Sequence, residues 1–265
     1  MRPEPYIGVT GYMHFGEIEH TLSVIPPHSE HLFMIGVLMS NKSLRGVVGP
    51  HASNPKRYPS KAALEDIFSY SGEGGGRTLN LVHFNTSEPG NLFNDMVSVQ
   101  SRVGAGCNGF QLNMPWPDRG AIERYRNLRY FQHHKIVLQC GREALAEVGN
   151  NAAKLVERVK KYVGIVNYVL IDGSMGTGTE FDLETTRHYL DKLSAIDSIG
   201  LVVAGGLHAG NVDRIEPILR EFPGSVSVDA EGRLRDEDDN LSVLEAKKYL
   251  IRADELFARY ERVST

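Results

Sequence analysis

The feature that most constrains this chain is an alternation, kept up from end to end, of short β-rich apolar runs with longer stretches of helical period. Eight runs read as strands: YIGVTGY (6–12), HLFMIGVLM (31–39), TLNLVHFN (78–85), GFQLNM (109–114), KIVLQC (135–140), YVLID (168–172), GLVVAGG (200–206) and SVSVDA (225–230). Helical segments fall between and after them at 60–70, 90–103, 118–132, 150–163, 183–194, 210–221 and 240–260, the least distinct lying around 16–30. Strand then helix, repeated, is the pattern of βα units and a parallel sheet. Eight such units without a linker or a composition break have the size of one α/β domain, a single (β/α)8 TIM barrel over residues 1–265. A doubly wound open sheet is the alternative, because alternation does not by itself require closure.

Composition narrows the partners. With 41% hydrophobic residues the chain can bury a sizeable core. Its 29 basic and 33 acidic side chains leave a net charge of −4, which gives no general attraction for nucleic acid or anionic lipid. A small molecule is the expected ligand. The two cysteines, Cys107 and Cys140, are too few for a disulfide framework and lack the spacing of a zinc site, so a reducing cytoplasm is the expected location. The start of the chain has no secretory apolar core, and the longest apolar run, LFMIGVLM, falls far short of the ~20 residues that span a bilayer. A soluble protein that does not contact membranes is expected.

In either fold the loops that follow the strands carry the chemistry. That rule sets aside SGEGGGRT (71–78), which precedes a strand, lacks the lysine of a P-loop and reads as a flexible connection. In RDEDDN (235–240), Asp238, Asp239 and Asn240 are expected to cap the last helix rather than to hold a metal. Three segments remain, at the ends of the sixth, seventh and eighth strands: GSMGTGTEFD, AGGLHAGNV and DAEGRLRD. Small residues let backbone N–H groups approach an anion, and loops after strands 7 and 8 of such barrels commonly hold a phosphate. The competing reading of Gly205-Gly206 is structural, since close packing and turns of positive φ also require glycine.

VLIDGSMGTGTEFDLE, LVVAGGLHAGNV and SVDAEGRLRDEDDNLSVLEAKKYLIRA together resemble the C-terminal half of phosphoribosylanthranilate isomerase, over about residues 165–253. The resemblance implies a TIM barrel that binds a phosphorylated sugar, with Gly176, Thr177, Gly178, Gly205, Gly206 and Gly232 near the phosphate. Asp172 would be the general acid that protonates the ring oxygen. A proton then moves from C2, giving a 1-amino-1-deoxy-ketose without metal or organic cofactor. A homodimer is left open.

That reaction needs a second proton-handling group, with a pKa set apart from the first. The family's base is a cysteine on the first strand, where this chain has Ile7 or Gly8; the preceding lysine has become Tyr6 and the fourth-strand histidine Asn113. Replacement bases are Cys140, beside basic Arg142, and His14, just beyond the first strand. The bland readings are a small buried apolar residue for Cys140 and a solvated loop histidine for His14. His83, Asn113, Arg142 and Asp229 are expected to bind substrate, His83 being equally readable as a hydrogen-bonded interior residue.

One long connection, residues 40–60, carries Lys42, Arg45, His51, Lys56 and Arg57, which could clamp a carboxylate or second phosphate, or simply form a basic surface loop. Three functions stay open: a phosphosugar isomerase with an unidentified base, a phosphosugar lyase or aldolase on the same barrel, and a phosphate-ligand-binding protein without turnover. The absence of a strand-end lysine counts against a Schiff-base aldolase.

Overall fold

The computed structural model describes residues 2–46, 56–70, 77–172 and 181–260. Eight parallel strands pair in chain order and the eighth returns to the first, closing a barrel. The strands are β1 (Tyr6–Thr10), β2 (Leu32–Ser40), β3 (Arg77–Asn85), β4 (Gly109–Leu112), β5 (Lys135–Cys140), β6 (Tyr168–Asp172), β7 (Gly200–Ala204) and β8 (Val226–Ala230). Between and after them lie α1 (Phe15–Leu22), α2 (Asn41–Leu44), α3 (Lys61–Ser69), α4 (Leu92–Val103), α5 (Arg119–Arg126), α6 (Arg142–Glu147), α7 (Ala152–Lys160), α8 (Leu183–Leu193), α9 (Glu216–Glu221) and α10 (Val243–Arg259). Closure removes the open-sheet alternative. Among the described residues no helix is long and apolar enough to cross a membrane.

Local chemistry sets the helix starts. Side chains of Ser40, Ser60, Asp118, Asn151, Asp182 and Ser242 each accept a first-turn backbone N–H, of α2, α3, α5, α7, α8 and α10 respectively. Such a cap stabilises a helix by about 1 kcal/mol. The expected helix at 16–30 ends at Leu22, because Pro26 and Pro27 cannot continue it. The expected helix at 210–221 divides into a 3-10 turn, Val212–Ile215, and α9, whose first turn holds Pro217. The short α2 and α6 were not foreseen.

The cap of α10 corrects another expectation. Asp238, Asp239 and Asn240 do not start that helix. Arg235 and Leu241 pair as an isolated antiparallel bridge, which inserts a tight turn with Asp239 at φ 66°. The Asp236 carboxylate accepts the N–H groups of Asp238 and Asn240 at 3.0 and 2.9 Å. Asp239 pairs with Arg57, and Ser242 is left to cap the helix.

Alternate strand residues face inward. The lower half of the barrel is plugged by a separate apolar cluster that includes Tyr6, Met34, Leu81, Val137, Tyr168 and Val202, with Tyr6 and Tyr168 meeting edge to face at 5.3 Å. The outward residues of the same strands pack on the helices in the main core. Above the plug the inward positions turn polar, and the site begins there.

Candidate functional site

Continuing the inward phase past the plug places Thr10 on β1, His83 on β3, Gln111 on β4, Gln139 on β5, Asp172 on β6 and Asp229 on β8 around one mouth. Five of these, all but Thr10, line a cavity of about 480 Å3 together with Gly205, Gly206, Gly232, Glu231, Arg57 and Arg233. Asp172 and Gln139 also line a second cavity, of about 660 Å3, between the loops that follow β3, β4 and β5. Asn113 and Arg142 belong to that second cavity. The residues expected at the site thus divide between two chambers that meet at Asp172.

Asp229 is the most perturbed carboxyl of the mouth. It is 4% exposed, and its Oδ1 accepts the Thr10 hydroxyl at 3.0 Å. Burial lifts its pKa from the ordinary 3.8 to about 7, against the lowering effect of hydrogen bonds from Thr10 and Gln111, while the nearby Glu231 charge raises it further. The space it occupies is made by a glycine. Gly8 lies opposite Asp229 in the β1–β8 register, and a Cβ placed there would stand 3.0 Å from Asp229 Oδ1 and 2.7 Å from Met34 Cε. Ile7, the neighbouring residue, faces the helices in the main core. Of Ile7 and Gly8, Gly8 is therefore the inward residue, and Asp229 leans into the room it leaves.

His83 sits beside this carboxyl cluster. It is 6% exposed, and its Nδ1 finds no partner among the described residues. Burial lowers its pKa more than the charges of Glu231 and Asp172 raise it, so the imidazole is neutral at pH 7. The residue lines the smaller chamber, while its unpartnered Nδ1 is itself buried.

The glycines of the rim have distinct geometry. Gly205 and Gly206 both take positive φ, 100° and 70°, which only glycine adopts readily. The bend is held by Asn211, whose side chain donates to the Gly206 carbonyl at 2.8 Å and accepts the His208 N–H at 2.8 Å. The structural reading of this Gly-Gly pair is therefore met by the bend itself. Gly232 is different: its φ is unstrained and a Cβ there would meet nothing within 4 Å. Gly176, Thr177 and Gly178 lie outside the described residues, as do His51 and residues 71–76 of the glycine-rich connection.

Two expected bases are corrected. Cys140 is fully buried and faces the helix layer, in phase with Ile136 and Leu138 rather than with Gln139. Burial pushes its thiol up to about 12, so it carries no thiolate at neutral pH and Arg142 does not activate it. His14 is exposed at the start of α1 and lines neither chamber. Its backbone N–H donates to the Glu17 carboxylate at 3.2 Å, so its local role is to begin that helix.

The 40–60 connection also resolves into particular pairs. Arg45 makes a bidentate pair with Glu88 at 2.6 and 2.7 Å. Arg57 reaches Asp239 by two hydrogen bonds at 2.8 and 2.6 Å and Glu231 by one at 3.2 Å, while Lys56 donates to the Asp238 carbonyl at 2.5 Å. Both arginines are already matched by the protein's own carboxylates. Arg57, unlike Arg45, stands at the wall of the smaller chamber.

Sequence reasoning overlooked Gln111, Gln139, Glu231 and Arg233. A signal for the two glutamines existed: each is a polar residue at an inward phase of an otherwise apolar strand, in GFQLNM and KIVLQC.

The comparisons with known proteins agree on the barrel. A crystal structure of phosphoribosyl anthranilate isomerase from Thermotoga maritima is 17% identical, covering 95% of this chain and 99% of that one, with a TM-score of 0.62. Orotidine 5′-monophosphate decarboxylase from Methanocaldococcus jannaschii, complexed with the inhibitor BMP, is 11% identical over 96% of this chain and 99% of that one, with a TM-score of 0.55. A GH113 β-1,4-mannanase is 9% identical with the same coverage and a TM-score of 0.55. At these identities the likeness shows the fold, and the fold hosts many chemistries. No protein-family profile matches the chain. No curated protein matches it by sequence.

Proposed function

We propose that this chain is an enzyme that moves a proton on a phosphorylated sugar, with Asp172 and Asp229 as its two proton-handling groups. The observation that carries this reading is the position and state of Asp229, which fills the room left at Gly8 and has its carboxyl raised to about 7 by burial. A base with a pKa near the working pH is the efficient one. In its ionised form Asp229 takes the proton from the sugar C2, while Asp172 gives its proton to the ring oxygen and opens the ring. The resulting enediol tautomerises to the ketose, and exchange with solvent restores both carboxyls. His83 and Gln111 hold sugar hydroxyls between them.

The phosphate is assigned to the rim formed by Gly205, Gly206 and Gly232, with Arg57 and Arg233 on the same wall. Backbone N–H groups at such bends and nearby guanidinium groups suit an anion. Among the described residues, neither chamber is lined by a lysine, which disfavours a Schiff-base aldolase.

Ribose 5-phosphate serves both parts of the test. Calorimetry measures whether it binds, and NMR in D2O follows loss of its C2 proton signal. Binding with C2 exchange is expected of the wild type, and binding without exchange of Asp229→Asn. Wild-type protein that neither binds the sugar phosphate nor exchanges C2 would sink this reading.

A further inference from the structure

In the proposed reaction the step from enediol to ketose leaves one proton without an acceptor. The O2–H bond breaks and its electron pair becomes the C2=O2 double bond, while the C1=C2 pair takes a proton at C1. Asp229 holds the proton removed from C2 and returns it to C1, so the O2 proton needs a different group. Polar residues on β3 and β4 supply one. His83 and Gln111 are register partners on these neighbouring strands, and both line the smaller chamber. Side chains so placed start about 4.8 Å apart. The Gln111 amide nitrogen donates to Gln139 Oε1 at 3.2 Å and to the Asp229 carboxyl. Its Oε1 is buried with no partner among the described residues, and the same holds for His83 Nδ1. An amide oxygen can only accept, so the arrangement that satisfies both atoms is Nδ1–H donating to Oε1, directly or through one water.

A neutral imidazole carries a single ring proton, and a proton held on Nδ1 leaves Nε2 with its lone pair. Of the two nitrogens only Nδ1 is enclosed without a partner, so Nε2 is the one the chamber reaches. We infer that His83 is a third proton-handling residue of the smaller chamber, whose Nε2 takes the O2 proton as the enediol becomes the ketose, and that Gln111 positions it by holding the ring proton on Nδ1. This rests on the phosphosugar reading of that chamber and completes its reaction. The charges of Glu231 and Asp172 lie near enough to favour the imidazolium that forms, which then gives its proton to solvent.

Two measurements test it. Proton–nitrogen correlation NMR of the isotope-labelled, ligand-free wild type reads the His83 tautomer directly. The ring proton is expected on Nδ1, and Gln111→Met is expected to lose that preference. With ribose 5-phosphate in D2O, NMR then compares loss of the C2 proton signal with appearance of the ketose phosphate. His83→Asn is expected to slow ketose formation by about 100-fold, the lower end of what a general acid or base contributes, and to slow C2 exchange by at least about tenfold less. The difference arises because Asp229 still removes the C2 proton, so the enediol forms and returns to the aldose. The inference is overturned if Nε2 carries the ring proton in the wild type, if the Nδ1–H form persists in Gln111→Met, or if the wild type exchanges C2 without forming ketose. It is equally overturned if His83→Asn leaves ketose formation unchanged or slows both processes alike. If the wild type neither binds ribose 5-phosphate nor exchanges C2, the phosphosugar reading has failed first and the inference falls with it.

Discussion

Asp229 couples stability to pH at a single carboxyl, the one proposed as the base. Its folded pKa of about 7 lies above the ordinary 3.8, so the folded protein binds one more proton than the unfolded chain between those values. The associated stability is fully present below pH ~4 and is lost as pH rises through 7, with a limiting slope of about 1.4 kcal/mol per pH unit. Asp229→Asn is expected to remove this slope, so that the variant melts above the wild type at pH 8 while C2 exchange is lost. Thermal melts of both proteins from pH 4 to 8 check it, and parallel curves would mean an ordinary carboxyl. Gly8 supplies the complementary experiment. A Cβ there crowds Met34 and Asp229, and overpacking of this kind costs about 1–3 kcal/mol. Gly8→Ala is expected to lose stability in that range and to displace Asp229, lowering exchange more than ribose 5-phosphate affinity.

At the level of elements, the βα loops decide which residues reach the mouth. The β8 loop was legible as a charged run, but not as the turn that brings Asp239 and Glu231 to Arg57 across more than 170 residues of chain. This strap is partly exposed, its arginine 35% and Asp239 31% accessible, so it adds little to global stability. Arg57→Ala is expected to change stability by less than about 1 kcal/mol and to weaken ribose 5-phosphate binding, because Arg57 stands on the wall of the smaller chamber, where the phosphate is proposed to sit. Denaturant melts with calorimetry separate the two effects. Ser242→Ala, by contrast, removes the α10 cap and is expected to cost about 1 kcal/mol. Asn240→Ala, outside the helix, is expected to leave α10 as stable as before. Equal losses from the two would return the cap to the acidic run.

Across the molecule, the barrel is plugged below and polar above, so a ligand at the upper end binds the folded chain alone. Ribose 5-phosphate at 100 times its dissociation constant is expected to add about 2.7 kcal/mol of stability. That corresponds to a rise in Tm on the order of 5 °C for a chain of this size. A melting point that does not move at that concentration would remove the ligand from the fold.

The alternation of apolar runs determined the eight βα units and their order, because a strand and a helix each stamp their own period on the residues they bury. GSMGTG, AGGL and EGR placed small residues after β6, β7 and β8 for the same reason, since loop composition is a local matter. Closure, inward phase and burial belong to the tertiary structure alone. Gly8 gained meaning only from the residue opposite it, about two hundred residues away in the chain, and the Asp229 carboxyl was raised only when surrounding side chains took it out of water. Cys140 lost its candidacy in the same way: a strand one residue out of phase turns a side chain from the mouth to the helices, and the polar Gln139 beside it was the one local mark of the phase the barrel selects.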